Sequence, residues 1–284
     1  MTDDPTATTR IACLQIPLAV GSPDTNRARA ARAITAAARL GARIVVLPEL
    51  TNSGYRLAGQ AEAAALAEPL DGPTVRQWQD LAARLGLLVV GGLCERDRAG
   101  LLRNSAVAVD ATGLRAVYRK AHLWDLESTV FVPGDAAPPV LETAHGRIAL
   151  MVCYDLEFPE WVRIPALGGA DLLCAPVNWP VLAPVAAGAP MEVVRVRAAA
   201  AANRMFVAAC DRTGSERGTD WVGGSVIADP DGMLMAGPPH DGGPALLLAD
   251  CALAQARSKA VGPRNDVHRD RRPALYRAWR PGSD

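Results

Sequence analysis

The sequence carries no surplus of charge of either sign. Among its 284 residues, 30 Lys and Arg balance 30 Asp and Glu, so the formal net charge is zero. A nucleic-acid-binding protein needs a basic surplus to neutralise phosphates, which this composition excludes. Half of the residues are hydrophobic, which excludes an intrinsically disordered chain. We expect a globular protein of one large domain or two small ones.

Long uncharged runs are scarce as well. One run, from Leu172 to Met191, has the twenty residues that a membrane span needs, but it contains four prolines. Because prolines break a continuous helix, this run predicts a buried strand followed by a loop. Residues 1–10 are polar and lack the apolar region of a secretory signal. We therefore expect a cytoplasmic protein that has no membrane partner.

Motifs of several enzyme classes are missing. The sequence has no G-x-S-x-G, no H-E-x-x-H, no G-x-G-x-x-G and no Gly-Lys-Ser/Thr. The four histidines have no ligand spacing, and the six cysteines are scattered singly without a C-x-x-C pair. These absences argue against α/β-fold serine hydrolases, zinc proteases and nucleotide-binding folds. Most of the cysteines are expected to be small buried hydrophobes in a reducing compartment.

Lysine is almost absent. Of the 30 basic residues, 28 are Arg, and only Lys120 and Lys259 are Lys. A chain that uses Arg wherever either residue will do suggests that a remaining lysine occupies a position at which Arg cannot substitute.

Short apolar runs alternate with helical patterns, which is typical of α/β architecture. A helix is expected through Leu40, capped by Asp24 or Asn26, and another helix is expected from about Ala252. The hairpin at Val107–Gly113 has a counterpart at Val226–Gly232, so the chain contains two similar halves. This repeat predicts two mixed β-sheets packed face to face with helices on the outer faces, in a single domain. Residues 261–284 are too polar for a core of their own, so they are expected to cover a neighbouring subunit or to stay mobile.

Three segments carry side chains suited to chemistry. Glu49 follows a buried strand, where ligands collect in open α/β sheets. Lys120 ends a hairpin strand, and Cys153 follows another strand at a turn before Pro159, which can open a helix. A thiolate near a helix N-terminus and a cation has a lowered pKa and is a usable nucleophile. Taken singly, each residue has an ordinary alternative: a surface glutamate, a solvated basic strand end and a buried core cysteine.

Together, Glu49, Lys120 and Cys153, in that order and with their flanks, resemble the nitrilase superfamily of carbon–nitrogen hydrolases. The resemblance extends from Ile11 to the hairpin that ends at Gly232 and covers most of the chain. It implies an αββα sandwich over residues 1–260, with the tail at a subunit interface of a homodimer or higher homo-oligomer. It also implies that Cys153 is the nucleophile, Glu49 the general base, Lys120 the stabiliser of the tetrahedral intermediate and Glu127 a second glutamate that positions the substrate. No metal or organic cofactor is expected.

The chemistry of these side chains agrees with that assignment. An ionised carboxylate only accepts hydrogen bonds, so Glu49 can take the thiol proton and return it to departing ammonia. Lys120 and the backbone N–H of Tyr154 could together form an oxyanion hole. The acyl group would then await hydrolysis as a thioester on Cys153.

The residues after Cys153 resemble the aliphatic-amidase-like branches, because true nitrilases typically carry Trp-Glu there and this chain carries Tyr154-Asp155. Aromatic and amide side chains near the predicted site suggest a small, fairly apolar acyl pocket, and hence short aliphatic amides as small-molecule substrates. The predicted pocket residues are Tyr55, Trp124, Tyr154, Asn178 and Trp179. Ordinary core packing is the alternative for each aromatic residue.

Other functions remain open from the sequence. Hydrolysis of N-carbamoyl amino acids or of nitriles would use the same three residues with a different pocket. A thiol redox sensor built on Cys153 would need a resolving cysteine, for which Cys174 is the candidate nearest in sequence. A member of the superfamily without catalysis is disfavoured by the intact set of Glu49, Lys120 and Cys153.

Overall fold

A six-stranded mixed sheet is formed by the first half of the chain and one late strand. The computed structural model describes residues 7–182 and 189–278. The strands of this sheet are β1 (Thr9–Gln15), β2 (Ile44–Val46), β3 (Leu88–Arg96), β4 (Leu102–Asp110), β5 (Gly113–Arg119) and β14 (Ala245–Cys251). Their order is β14-β1-β2-β3-β4-β5, with β1, β2 and β3 parallel and the others antiparallel to their neighbours.

The second half repeats this plan in a second six-stranded sheet. Its strands are β6 (Val140–Thr143), β7 (Gly146–Leu150), β8 (Leu172–Pro176), β9 (Phe206–Cys210), β12 (Val226–Ala228) and β13 (Leu234–Ala236). The order is β13-β12-β9-β8-β7-β6, with a parallel centre of β7, β8 and β9. A small hairpin of β10 (Ser215–Glu216) and β11 (Thr219–Asp220) lies outside both sheets.

Alternating side chains on the central strands explain the layers. On β1, Ile11 and Cys13 belong to the core between the two sheets, whereas Ala12 and Leu14 belong to the core under the helices. A strand that is covered on both faces reads as a continuous apolar run, as residues 11–14 of β1 do. The helices are α1 (Pro23–Arg39), α2 (Gln60–Leu66), α3 (Pro73–Leu85), α4 (Pro159–Leu167), α5 (Met191–Asn203) and α6 (Pro273–Ala278).

The resulting molecule is an αββα sandwich in a single domain, as predicted. Helices α1 and α3 cover the outer face of the first sheet, and α4 and α5 cover the second. No helix among residues 7–182 and 189–278 has both the length and the apolar character that a bilayer crossing requires.

Two expectations from the sequence are corrected. Helix α1 begins at Pro23 after Ser22, and Asn26 is buried inside it, where its amide bonds the backbone of Ala19. Pro at the first helical position explains this early start, because its fixed φ suits the helix and its missing N–H would have no partner there. The helix expected from Ala252 is only a 3₁₀ turn, Leu253–Arg257.

Lys259 also differs from expectation. It does not lie on the helix expected from Ala252, because the turn there ends at Arg257. Its ammonium donates to the carbonyl oxygens of Asn203 (3.3 Å) and Arg204 (2.8 Å) at the C-terminal end of α5. Its pKa is lowered to about 8, chiefly by burial. A cation is favourable at this end of a helix, where backbone carbonyls lack partners.

Candidate active site

Glu49 is held at the carboxyl end of β2 by close backbone contacts. Its N–H donates to the carbonyl oxygen of Val177 (3.3 Å), and Leu50, which follows it, has a positive φ of 48°. The opposing residue on β3 is Gly92, where a Cβ atom would lie 2.4 Å from the Cα of Glu49. The turn therefore approaches the first sheet as closely as it does because Gly92 has no side chain.

Lys120 directly follows β5 and is fixed by the segment that contains Pro133 and Gly134. The N–H of Lys120 donates to the carbonyl oxygen of Asn104, and its own carbonyl accepts from the N–H of Gly134, both at 2.8 Å. A Cβ atom at Gly134 would lie 2.2 Å from the carbonyl oxygen of Arg119, so this contact also requires glycine. The strand end thus directs the lysine side chain into the protein.

Cys153 lies at the start of a 3₁₀ helix, Cys153–Glu157, which follows β7. Its φ is 47°, a left-handed conformation that non-glycine residues seldom adopt and that often occurs at functional sites. Its Sγ is 3.6 Å from the carbonyl oxygen of Asn178, which follows β8. The N–H of the next residue, Tyr154, has no hydrogen-bond partner in the described part of the chain.

The structure brings Glu49, Lys120, Glu127 and Cys153 together at the carboxyl ends of strands from both sheets. The ammonium of Lys120 lies 2.8 Å from Oε1 of Glu49 and 2.8 Å from Oε1 of Glu127. Asn104 donates to the same oxygen of Glu49 (2.7 Å), and the hydroxyl of Tyr55 donates to Glu127 (2.6 Å). Exposure is 0% for Glu49, 1% for Lys120, 6% for Glu127 and 7% for Cys153, so water is nearly excluded.

Burial and mutual charge shift the pKa values of this cluster. Burial, assisted by the nearby Glu127 carboxylate, raises the pKa of Glu49 to about 7, against the lowering effect of Lys120. Burial also raises the pKa of Cys153, as does the charge of Glu49. Burial alone would lower the pKa of Lys120, but the two carboxylates outweigh it and raise that pKa. The arrangement can therefore hold a neutral thiol beside a carboxyl group that changes protonation near neutral pH.

The predicted pocket residues surround this cluster unequally. Tyr55 and Trp124 line a cavity of about 290 Å³ together with Trp221. The lining also includes the charged residues Arg56, Asp125 and Asp220, and it includes none of the four residues of the cluster. The side chain of Asn178 donates to the backbone carbonyl of Glu49 (2.9 Å). The backbone N–H of the next residue, Trp179, donates to the carboxylate of Asp211. The Tyr154 ring packs edge-on against Phe158, with ring centroids 5.1 Å apart. A larger cavity, of about 840 Å³, contains none of the predicted site residues.

Sequence reasoning missed two residues that touch the site. Asn104 lies within β4, and Trp221 packs edge-on against Tyr55 at a centroid distance of 5.3 Å. The sequence carries no signal for Asn104, because β4 also contains the polar residues Arg103, Ser105 and Asp110. Among the described residues, no group of three or more His, Cys, Asp and Glu side chains could hold a metal ion.

Comparison with known proteins identifies the family. The sequence model of the family described as carbon-nitrogen hydrolase matches residues 10–260. The chain belongs to the carbon-nitrogen hydrolase family. A nitrilase of Pyrococcus abyssi is 33% identical over 271 residues, which are 94% of this chain and 98% of the relative. A 2-oxoglutaramate amidase of Bacillus subtilis is 31% identical over 80% of this chain and 85% of its own.

Solved structures agree with this carbon-nitrogen hydrolase assignment. An amidase from Nesterenkonia sp. AN1 matches with a TM-score of 0.80 and 28% identity, covering 95% of this chain and 99% of its own. Variants of the same amidase are known with acrylamide added at the active-site cysteine and in complex with butyramide. The nitrilase-superfamily resemblance and the sandwich fold are confirmed, and the protein is an amide-hydrolysing enzyme. The role of each site residue stays a prediction.

Proposed function

We propose that the protein is an amidase that converts a small aliphatic amide to a carboxylate and ammonia through a thioester on Cys153. The observation that carries this proposal is the closed cluster in which Lys120 bonds both Glu49 and Glu127 beside a strained cysteine. A nucleophile, a proton shuttle and a cationic hydrogen-bond donor are what amide hydrolysis requires.

In the first half-reaction, Glu49 takes the thiol proton while Sγ attacks the amide carbonyl carbon. The pKa of about 7 suits Glu49 to this exchange, because a base works best when its pKa is near the operating pH. The oxyanion that forms is stabilised by the Lys120 ammonium and by the unpartnered N–H of Tyr154. Glu49 then gives its proton to the departing nitrogen, and ammonia leaves.

In the second half-reaction, water hydrolyses the thioester. Glu49, again ionised, takes a proton from the water as it attacks the acyl carbon, and the tetrahedral intermediate uses the same donors. Collapse of this intermediate expels the Cys153 thiolate, which recovers its proton from Glu49. The carboxylic acid gives its own proton to solvent and leaves as the carboxylate. Glu127 holds Lys120 in position throughout, with support from the Tyr55 hydroxyl.

A small substrate is supported by the size of the cavity that Tyr55 and Trp124 line, and a short acyl chain is supported by the comparison with the Nesterenkonia amidase. The cavity of about 290 Å³ is lined by the aromatic rings of Tyr55, Trp124 and Trp221. The Nesterenkonia amidase binds butyramide as a variant, which supports a short acyl chain. A redox-sensor role is less well supported, because Cys174 is completely buried and burial raises its pKa, which keeps the thiol neutral and unreactive.

Ammonia release and mass spectrometry test the proposal together. We expect ammonia from propionamide at a higher rate than from propionitrile or N-carbamoyl-β-alanine. A slow substrate should leave its acyl group as a mass increment on the peptide that contains Cys153. Cys153→Ala should lose both the adduct and the activity, whereas the control Cys174→Ala keeps both. An adduct on a different cysteine would refute the mechanism, and preference for the nitrile or the carbamoyl compound would change the substrate class.

A further inference from the structure

A buried carboxylate joins the two segments that carry Lys120 and Cys153. Asp155 lies two residues after Cys153 and is completely buried. Its Oδ2 accepts from the hydroxyl of Tyr118 (2.8 Å) and from the N–H of Val152 (3.3 Å). Its Oδ1 accepts from the backbone N–H of His122 (3.0 Å) and lies 2.7 Å from Nδ1 of the same residue.

The bonding partners of Asp155 bracket both reacting residues. Tyr118 and His122 lie two residues before and two residues after Lys120, and Val152 directly precedes Cys153. No hydrogen bond joins Asp155 to the Lys120 ammonium or to the Cys153 thiol in the described structure. Asp155 therefore holds the backbone next to Lys120 and the backbone next to Cys153, and it does not contact the ammonium or the thiol itself.

Aromatic packing stiffens this connection. The His122 ring stacks on Phe158 at a centroid distance of 3.8 Å, and the indole N–H of Trp161 donates to the Tyr118 hydroxyl (2.9 Å). Burial raises the pKa of Asp155, and the hydrogen bond from His122 opposes that rise. Since Oδ1 already accepts the backbone N–H of His122, the short contact to Nδ1 is best satisfied by a proton on Nδ1.

We propose that Asp155, with His122 as its principal side-chain donor, is a positioning residue that sets the distance between the Lys120 ammonium and the thiol of Cys153. This inference rests on the proposed function, because the distance matters when Lys120 must meet an oxyanion that grows on the carbon attacked by Sγ. Small displacements of such a donor are costly: about 1 Å can lower turnover about 10²-fold.

Two reactions of the Cys153 thiol distinguish a displaced Lys120 ammonium from general damage to the site. Hydrolysis of an amide needs both the thiolate and an aligned oxyanion donor, whereas alkylation by iodoacetamide displaces iodide and forms no oxyanion. We expect Asp155→Asn to lower kcat for propionamide about 10²-fold, with KM and the alkylation rate of Cys153 within about threefold of wild type. Equal losses in both reactions, or no loss in either, would overturn the inference.

A matched control and a conservative pair of substitutions complete the test. Asp171 is another buried aspartate that accepts a backbone N–H, from Arg147 (2.9 Å), but it precedes β8, at the opposite end of the sheet from the site. Asp171→Asn should leave the ratio of turnover to alkylation unchanged in the folded protein. At the partly exposed His122, His122→Leu should lower kcat at least about tenfold, and His122→Asn, whose amide nitrogen can replace Nδ1, should restore most of it.

Each result has a separate meaning for the two proposals. If wild type releases no ammonia from any amide, the proposed function fails, whatever the variants do. Suppose instead that the wild-type enzyme is active. If Asp155→Asn and both His122 variants then hydrolyse propionamide at the wild-type rate, only the positioning role of Asp155 fails. His122→Leu is the deciding variant if Asp155→Asn does not fold, since the His122 side chain is 29% exposed and tolerates replacement more readily.

Discussion

At the scale of single residues, the contrast between lysine and arginine is informative. Lys120 inserts a compact ammonium between two carboxylate oxygens, each 2.8 Å away. Lys259 directs its ammonium at two backbone carbonyls at the end of α5. In both places a small point charge bonds two acceptors from one atom, which a wide planar guanidinium does less well. The two lysines of this arginine-rich chain therefore occupy positions at which the shape of the cation matters as well as its charge.

Substitution of Lys120 by Arg tests this conclusion directly. We expect Lys120→Arg to lower kcat by about 10²–10³, the usual cost of losing one oxyanion donor, while the protein stays folded. The control is Lys259→Arg, which should lower the melting temperature but leave kcat of the folded enzyme unchanged. Near-normal turnover by folded Lys120→Arg would mean that only the charge is needed and would remove Lys120 from the oxyanion site.

The protonation of Glu49 determines the expected pH dependence. Glu49 must be ionised to accept the thiol proton, and its pKa is about 7. Activity should therefore rise with pH through about 7, and kcat/KM should fall about tenfold for each pH unit below that value. Rates of ammonia release at saturating and at low propionamide will measure this limb. A profile that is flat down to the usual pKa of a carboxyl group would show that the base of the reaction does not have the raised pKa of Glu49.

At the scale of elements, strand ends determine where the site residues meet. Glu49 and Cys153 were predictable because each lies three residues beyond the end of a buried strand, and Lys120 because it ends a hairpin. Asn104 was not, since an isolated strand does not reveal which neighbour its side chain will face. Strand β14 was missed for a related reason: it pairs with β1, where Thr9 lies opposite Cys251, far away in sequence. Local pattern identifies elements, but long-range pairing determines their contacts.

Two adjacent glycines on β3 test how closely the Glu49 turn must approach its sheet. A Cβ atom at Gly92 would meet the backbone of Glu49 at 2.4 Å, whereas at Gly91 it would meet the Trp78 ring at 2.5 Å. Both Gly→Ala substitutions should destabilise the protein by about 1–3 kcal/mol through overpacking. Only Gly92→Ala should also reduce kcat, by about 10²-fold, because it displaces the base. Equal turnover by the two folded variants would contradict this.

At the scale of the whole molecule, the repeat of the two halves was the most productive sequence signal. It predicted two facing sheets with outer helices, which the structure confirms. The sequence could not show how the C-terminal region folds, because its contacts are made with distant elements. Lys259 illustrates this, since its partners belong to a helix that ends 56 residues earlier. The division between a domain of residues 1–260 and a tail of residues 261–284 stays a prediction.

Removal of the tail tests its predicted role between subunits. In its described part, Val261, Leu275 and Tyr276 are each more than half exposed, so they add little to the core of one chain. We expect deletion of residues 261–284 to weaken self-association without unfolding the sandwich. Sedimentation velocity measures the association, and thermal melting measures the fold. If the truncated chain sediments as the full-length chain does, the tail has a different role.

The sharing of one ammonium by two buried carboxylates also affects how a reaction cycle ends. With Glu49 and Glu127 both ionised, the closed cluster carries one more negative charge than Lys120 can balance. An amide is neutral and enters such a site without electrostatic cost, whereas the carboxylate formed from it is an anion and is repelled at short range in a medium of low dielectric constant. In the proposed mechanism, the charges that prepare the nucleophile therefore also hasten departure of the acid and oppose its return, so that we expect the accumulated carboxylate to inhibit the enzyme only weakly.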